Sequence, residues 1–110
     1  MQNTQPVEDQ KMFNVAEYVG YEPHSIVSKT LVKKDTGTLT FFAFDMGEGL
    51  SEHTAPFDAI AHILDGNAII KIDGINYFVK TGEMVMMPAN IPHAVFAGEK
   101  FKMMLIMIKN

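Results

Sequence analysis

Four histidines, at positions 24, 53, 62 and 93, are the residues of this 110-residue sequence best suited to chemistry. An imidazole can bind a metal ion, and it can take up or release a proton near neutral pH. Cysteine and tryptophan are absent, which excludes disulfides, thiolate nucleophiles and metal sites held by cysteine. Any catalytic or metal chemistry is therefore expected to depend on the histidines.

The charge of the chain argues against nucleic acid as a partner. All nine basic residues are lysine, against thirteen aspartates and glutamates, and the net charge is -4. Without arginine, no guanidinium group can clamp a phosphate or carboxylate through two parallel hydrogen bonds. No apolar run is long enough to cross a bilayer and no signal peptide is visible, so we expect no membrane partner and a cytoplasmic location.

Two segments place histidines beside glycine and proline turns. The first covers residues 47–66 and contains His53 and His62, whereas the second covers residues 82–97 and contains His93. In each segment a histidine lies close to the end of an apolar stretch. Because small-molecule sites form at strand ends and in the mouths of barrels, these segments are the candidate pocket.

Short stretches of β-favouring residues, separated by turn signals, must position these segments. They cover residues 25–32, 38–44, 59–64, 68–72, 75–79, 84–87, 94–97 and 101–108. The pair Asp73-Gly74 between two of them is the strongest hairpin signal in the chain. The apolar residues around the possible N-cap Asn14 and before Gly20 indicate a helix of one or two turns at most. The pattern predicts an all-β sandwich or small barrel.

Several of the predicted strands are apolar on both faces, as in Phe41–Phe44 and Met103–Ile108. A strand of an isolated domain usually has one face in water. One face of each strand would line a barrel interior, and the other would pack on a second sheet or a second subunit. We therefore predict a homodimer formed through such a strand.

The two histidine segments resemble the two conserved motifs of the cupin superfamily. The first motif consists of a glycine, a His-x-His pair, a glutamate and a second glycine, and its positions are held here by Gly47, His53, Ala55, Ala59 and Gly66. The second consists of a glycine, Pro-x-Gly, a histidine and an asparagine, and its positions are held here by Gly82, Pro88, Asn90, His93 and Ala97. The chain is thus identified as similar to the small single-domain cupins of the cupin 2 type.

The resemblance implies an all-β fold, the double-stranded β-helix or jelly-roll barrel of cupins. The barrel would cover residues 25–110. Residues 1–24 would form an N-terminal arm with at most one short helix, and residues 1–11 of it are polar enough to be a flexible arm.

The resemblance also implies a metal position in the barrel, from which this sequence departs. Metal-binding cupins hold the ion with both histidines and the glutamate of the first motif and the histidine of the second. His53 and His93 remain at those positions, whereas Ala55 and Ala59 replace the other two ligands. The four residues are the predicted pocket, and His53 and His93 are an incomplete ligand set for one divalent transition metal ion.

The alternation of side chains along a strand gives no clear replacement for the two missing metal ligands. Asp58 lies on the face opposite to Ala59 unless the turn at Pro56 re-aims it, and His62 also lies opposite to Ala59. We expect His62 to pack in a core or an interface. His24 is expected in a solvent-exposed turn.

Three functions remain open at this point. The first is a cupin that binds a small molecule, either alone or as a metal-dependent enzyme, for which the resemblance allows dioxygenase, isomerase, decarboxylase or lyase chemistry. The second is a non-catalytic ligand-binding or sensing module without metal, which the two alanines favour. The third is an assembly protein whose apolar strands serve dimerisation. No set of residues selects one particular ligand.

Overall fold

The computed structural model describes residues 2–4 and 12–109. Within them the strands in chain order are β1 (Gln2–Thr4), β2 (Ile26–Lys34), β3 (Gly37–Phe44), β4 (Gly49–His53), β5 (Asp58–Asp65), β6 (Asn67–Ile72), β7 (Ile75–Lys80), β8 (Met84–Met87), β9 (His93–Phe96) and β10 (Phe101–Ile108). Helical structure in the same residues is limited to a 3-10 turn at Val15–Glu17, where the Asn14 side chain accepts a hydrogen bond from the Ala16 N–H. No helix in this part of the chain is long and apolar enough to cross a membrane.

The strands form two sheets that face each other. One sheet has the order β1-β2-β3-β10-β5-β8, and the other has the order β4-β9-β6-β7. The inner faces share one apolar core, whose largest fully buried side chains are Phe44, Phe101, Ile63, Ile70 and Met103. The predicted all-β jelly-roll barrel is confirmed.

All eight strands predicted from the sequence are present, with ends that differ by a few residues. β4 was not predicted, because four of its five residues are exposed and show no apolar alternation. β1 was not predicted either, and it pairs in parallel with Val27–Lys29 of β2. The remainder of the predicted flexible arm, residue 1 and residues 5–11, lies outside the described residues.

The N-terminal segment, residues 12–21, covers part of the outer face of the six-stranded sheet. Val19 is fully buried against Phe41 and Ala43 of β3, and Phe13 and Tyr18 pack against the same cluster. The Tyr18 and Phe41 ring centroids are 4.8 Å apart. The second apolar face of β3 is therefore covered by the chain itself.

Tyr21 ties this segment to the end of β5. Its hydroxyl donates a hydrogen bond to Oδ2 of Asp65 at 2.5 Å. Partial burial raises the pKa of Tyr21, and the hydrogen bond to Asp65 and the negative charges of Asp65 and Glu99 raise it further. The phenol therefore stays protonated and remains a donor over the whole physiological range.

Loss of this hydrogen bond should loosen the N-terminal segment. We expect Tyr21→Phe to lower the free energy of unfolding by about 1 kcal/mol, because the ring stays and only the hydrogen bond is lost. Tyr77→Phe is the control, because Tyr77 is exposed on β7. Urea unfolding followed by circular dichroism measures both, and equal losses in the two variants would contradict the assignment.

Candidate functional site at the barrel mouth

His53 and His93 lie side by side on neighbouring strands. His53 is the last residue of β4 and His93 is the first of β9, and the two are paired in the strand register. Their ring centroids are 4.3 Å apart, with the planes inclined at 67°. His93 is 8% exposed, whereas His53 is open to solvent. The structure therefore brings together the two histidines that the motifs single out.

A one-residue register shift in β4, a β-bulge, decides which side chain faces His93. Leu50 pairs with Val95 and His53 pairs with His93, so β4 takes three steps where β9 takes two. Leu50 packs against the barrel core, so regular alternation would turn Glu52 inward and His53 outward. The extra residue reverses this alternation. An imidazole therefore lies opposite His93 in place of a carboxylate.

Hydrogen bonds to the backbone set the tautomer of both rings. Nδ1 of His53 lies 2.7 Å from the carbonyl oxygen of Ser51, and Nδ1 of His93 lies 3.1 Å from that of Ile91. A carbonyl oxygen only accepts hydrogen bonds, so both Nδ1 atoms carry a proton and donate it. Each neutral ring then presents the lone pair of Nε2 to a ligand.

The inner face around the pair is apolar. Ile72 of β6 is the second register partner of His93 and is buried. On the opposite sheet Ala59 pairs with Met87 and Met107, which belong to or pack against the same core. A ligand at the two Nε2 atoms would thus meet hydrocarbon and thioether walls. Ile72 was not predicted as a site residue, because an isoleucine in a strand carries no signal beyond burial.

Two hydrogen bonds join the loop between β8 and β9 to the segment that leads into β5. The Asn90 N–H donates to the carbonyl oxygen of Ala55 at 2.7 Å, and the Ala89 N–H donates to Oδ1 of Asp58 at 2.9 Å. Oδ1 of Asp58 is therefore engaged by the loop between β8 and β9, and Asp58 is exposed whereas Ala59 beside it is buried. Ala55 is half-buried in its loop and Ala59 is 5% exposed in β5, and neither side chain offers a ligand atom.

The described residues do not complete a metal site at this position. Among them no histidine, cysteine, aspartate or glutamate forms a group of three that could hold an ion. Structural and catalytic sites for divalent transition metals normally use three or more protein ligands. His53 and His93 alone thus do not fit a resident divalent metal ion.

The other two histidines lie apart from this pair. His62 is half-buried on the outer face of β5, as strand parity predicts. His24 is exposed, as predicted, with a φ of 56°, and its backbone N–H donates to Oδ2 of Asp45 at 2.7 Å. The hydrogen bonds from the backbone N–H groups of His24 and Met46 hold the pKa of Asp45 below its usual value.

The motif glycines adopt backbone conformations that explain their residue type. Gly47, Gly66 and Gly82 have φ values of 89°, 69° and 90°, in the left-handed region that favours glycine. Asn90 stands where the cupin motif carries a glycine, and its φ is 62°. Asparagine is among the few other residues that enter this region routinely, so the substitution preserves the turn that leads into His93.

Replacement of Asn90 tests this explanation. We expect Asn90→Ala to lower the free energy of unfolding by about 1 kcal/mol, because alanine tolerates a positive φ less well, and Asn90→Gly to be nearly neutral. Asn76→Ala, on the exposed strand β7, is the control for loss of an amide side chain. Thermal and urea unfolding measure the series. A loss in Asn90→Gly as large as that in Asn90→Ala would contradict a conformational role.

Comparisons with known proteins define the family. The family model of the cupin domain, Cupin_2, matches residues 40–109, and the chain therefore belongs to the cupin family. A conserved protein of unknown function from Streptococcus pyogenes is 36% identical over 100% of this chain and 96% of that chain, with a TM-score of 0.90. A cupin 2 conserved barrel domain protein from Leptotrichia buccalis is 48% identical over 88% of this chain and 47% of that chain, with a TM-score of 0.85.

A more distant neighbour shares the fold alone. A salicylate 1,2-dioxygenase variant from Pseudoaminobacter salicylatoxidans is 14% identical over 76% of this chain and 26% of that chain, with a TM-score of 0.70. A search of curated proteins finds no match to the sequence. The family is therefore established, and the ligand and any reaction must be argued from the site.

Proposed function

We propose that this cupin binds a small, uncharged and largely apolar molecule at the barrel mouth, through hydrogen bonds from the ligand to Nε2 of His53 and Nε2 of His93. The observation that carries the proposal is the pair of backbone hydrogen bonds that hold both Nδ1 atoms as donors. The ring centroids are 4.3 Å apart, so one small ligand can reach both Nε2 atoms. A ligand with one or two hydroxyl or N–H donors matches them.

The walls of the mouth favour a ligand without charge. The inner face beside the pair carries Ile72, Ala59 and Met87, and the sequence contains no arginine. Lys71 precedes Ile72 in β6 and points to the outer face by strand alternation. Lys71 therefore gives no charge to the apolar inner face, where an anionic ligand would lose its hydration.

The number of ligands supports a ligand-binding or sensing role without metal. The pair supplies two imidazoles, and the described residues add no third group. The second candidate function is a metal-dependent enzyme, and the two Nε2 lone pairs favour it, since neutral imidazole is a common ligand of transition metals. That function would require water or the substrate to supply the remaining ligands.

Binding of phenol and of methoxybenzene tests whether the two histidines accept hydrogen bonds from a ligand. The two probes have similar rings, but only phenol can donate a hydrogen bond. We expect phenol to bind at least tenfold more tightly in a chemical-shift titration, and His53→Ala and His93→Ala to remove that preference. His62→Ala, on the outer face, is the matched control and should keep it. Equal binding of the two probes by the unchanged protein would contradict the proposal.

Metal analysis of protein purified without chelator tests the second candidate. One transition-metal ion per chain, lost in both His53→Ala and His93→Ala, would support a metal-dependent enzyme and overturn the metal-free proposal. Metal content far below one per chain, together with a preference for phenol, is the result that we expect.

The predicted homodimer and the cytoplasmic location stay predictions. The N-terminal segment covers the part of the outer sheet face around Phe41, which reduces the apolar area that a second subunit would have to cover. The exposed methionines of β8 and Ile108 at the end of β10 remain for such a contact. Light scattering after size-exclusion chromatography at micromolar concentration measures the oligomeric state, and a pure monomer would contradict the dimer.

A further inference from the structure

Three side chains form a row on the outer face of the six-stranded sheet, away from the barrel mouth. Met84 of β8 and Met104 of β10 are the register partners of His62 of β5, one on each side. Ala61 and Ile63 are fully buried in the core, so strand alternation turns His62 outward with its two partners. Directly opposed residues of antiparallel strands have Cβ atoms about 5 Å apart.

We propose that Met84, His62 and Met104 form a binding site for a soft monovalent metal ion, copper(I). Thioether sulfur is a soft ligand that selects copper(I), and imidazole is a suitable third ligand. Methionine has three rotatable side-chain bonds, so the two sulfur atoms can bend from the flanking strands toward the central imidazole. The central position of the histidine places one thioether on each side of the imidazole.

Exposure and charge at the row agree with binding of a soft ion from solution. Met84 is 60% exposed, so one side of the row is open to solvent. Lys102 shares the outer face of β10, but its Nζ donates to the carbonyl oxygen of Ala16 at 2.6 Å and is directed to the N-terminal segment. No group of three histidine or carboxylate ligands exists among the described residues, so nothing here favours a hard divalent ion.

The adjacent row on the same face provides a matched control. Ile60 of β5 lies between Met86 of β8 and Ile106 of β10. Met84 and Met86 belong to the same strand and face and are 60% and 55% exposed. They differ in the residue across from them, a histidine for Met84 and an isoleucine for Met86. A specific site therefore depends on Met84, whereas general methionine affinity would depend equally on both.

Competition with bicinchoninate for copper(I), without oxygen and with excess reductant, tests the proposal. We expect the protein to withdraw one copper(I) per chain from the coloured complex. Met84→Leu and Met104→Leu should each weaken binding at least tenfold and His62→Phe should weaken it more, whereas Met86→Leu should stay within twofold. His53→Ala and His93→Ala should bind copper(I) unchanged, so failure of the barrel-mouth proposal and failure of this one remain distinguishable.

The methyl spectrum of the unchanged protein gives a readout that needs no variant. Addition of silver(I), a redox-inert substitute for copper(I), should shift the methyl signals of Met84 and Met104 and leave those of Met86 and Met46 in place. Three results would each overturn the proposal. The first is an equal loss of copper(I) affinity in Met84→Leu and Met86→Leu. The second is a loss of copper(I) binding in His53→Ala or His93→Ala. The third is a protein that takes no copper(I) from bicinchoninate, as expected if a second copy of the chain covers this face.

Discussion

Gly66→Ala is expected to lower the free energy of unfolding by about 3 kcal/mol or more, because it combines backbone strain with a steric overlap. Gly66 has a φ of 69°, which costs a non-glycine residue about 1–2 kcal/mol. An added Cβ would overlap with the carbonyl oxygen of Lys100 and lie 3.1 Å from Cα of Phe101. The neighbouring atoms are backbone and cannot rotate away.

Gly74→Ala is the matched control for this prediction. Gly74 has a φ of 81° in the turn between β6 and β7, and an added Cβ there would meet nothing within 4 Å. We expect this variant to lose about 1–2 kcal/mol, the cost of the left-handed conformation alone. Urea unfolding of the two variants side by side measures the difference. Similar losses would show that the overlap with Lys100 relaxes without cost.

Phe101→Ala is expected to lower the free energy of unfolding by about 4 kcal/mol, since it removes a large buried side chain and leaves a cavity. The Phe101 and Phe44 rings are stacked with their centroids 4.6 Å apart and their planes within 9°, and both side chains are fully buried. The pair joins β10 to β3 at the end of the barrel away from the histidines. Its loss therefore tests the core without touching the proposed site.

Phe78→Ala controls for the loss of a phenylalanine ring outside the core. Phe78 is 70% exposed on the outer face of β7, and surface substitutions usually change stability by about 0.5 kcal/mol or less. A loss at Phe101 no larger than that at Phe78 would contradict the assignment of the stacked pair to the core. Urea unfolding and thermal unfolding both measure the loss of stability in the two variants.

The fold could be predicted from the sequence because its turns carry strong local signals. Asp73 and Gly74 both have a positive φ, as a tight hairpin between β6 and β7 requires. Gly47 and Gly66, which end strands in the sequence pattern, are in the same backbone region. These residues determine the turn in which they lie, within a few positions along the chain. Such a turn can therefore be predicted without knowledge of distant contacts.

The pairing of His53 with His93 could not be derived from strand alternation alone. Most of β4 is exposed, so its sequence shows no period-two pattern that would locate the strand or its bulge. The bulge depends on the pairing between β4 and β9, which are distant in sequence. The cupin motif located His53, and the structure adds the pairing that turns it toward His93. The structure also shows that Asp58 accepts a hydrogen bond from the Ala89 N–H, a contact that no local sequence pattern indicates.

The apolar outer face of β3 shows the limit of a composition argument. The pattern of Phe41–Phe44 predicts that the second apolar face of this strand packs on a second sheet or a second subunit. Either covering is reasonable for a strand that is apolar on both faces. Residues 12–21 supply a third solution, in which a segment without regular strands covers the face. The apolar residues of that segment are too few and too irregular to predict where they pack.

This packing has a practical consequence for shortened forms of the protein. A chain trimmed to begin at residue 25 would retain both histidine segments, yet it would expose Phe41 and Ala43, which Val19 now buries. Newly exposed apolar area on a sheet face promotes aggregation. Such a trimmed protein should therefore be recovered mainly from inclusion bodies. Binding studies that aim at the barrel mouth are best done on the chain that keeps residues 12–24.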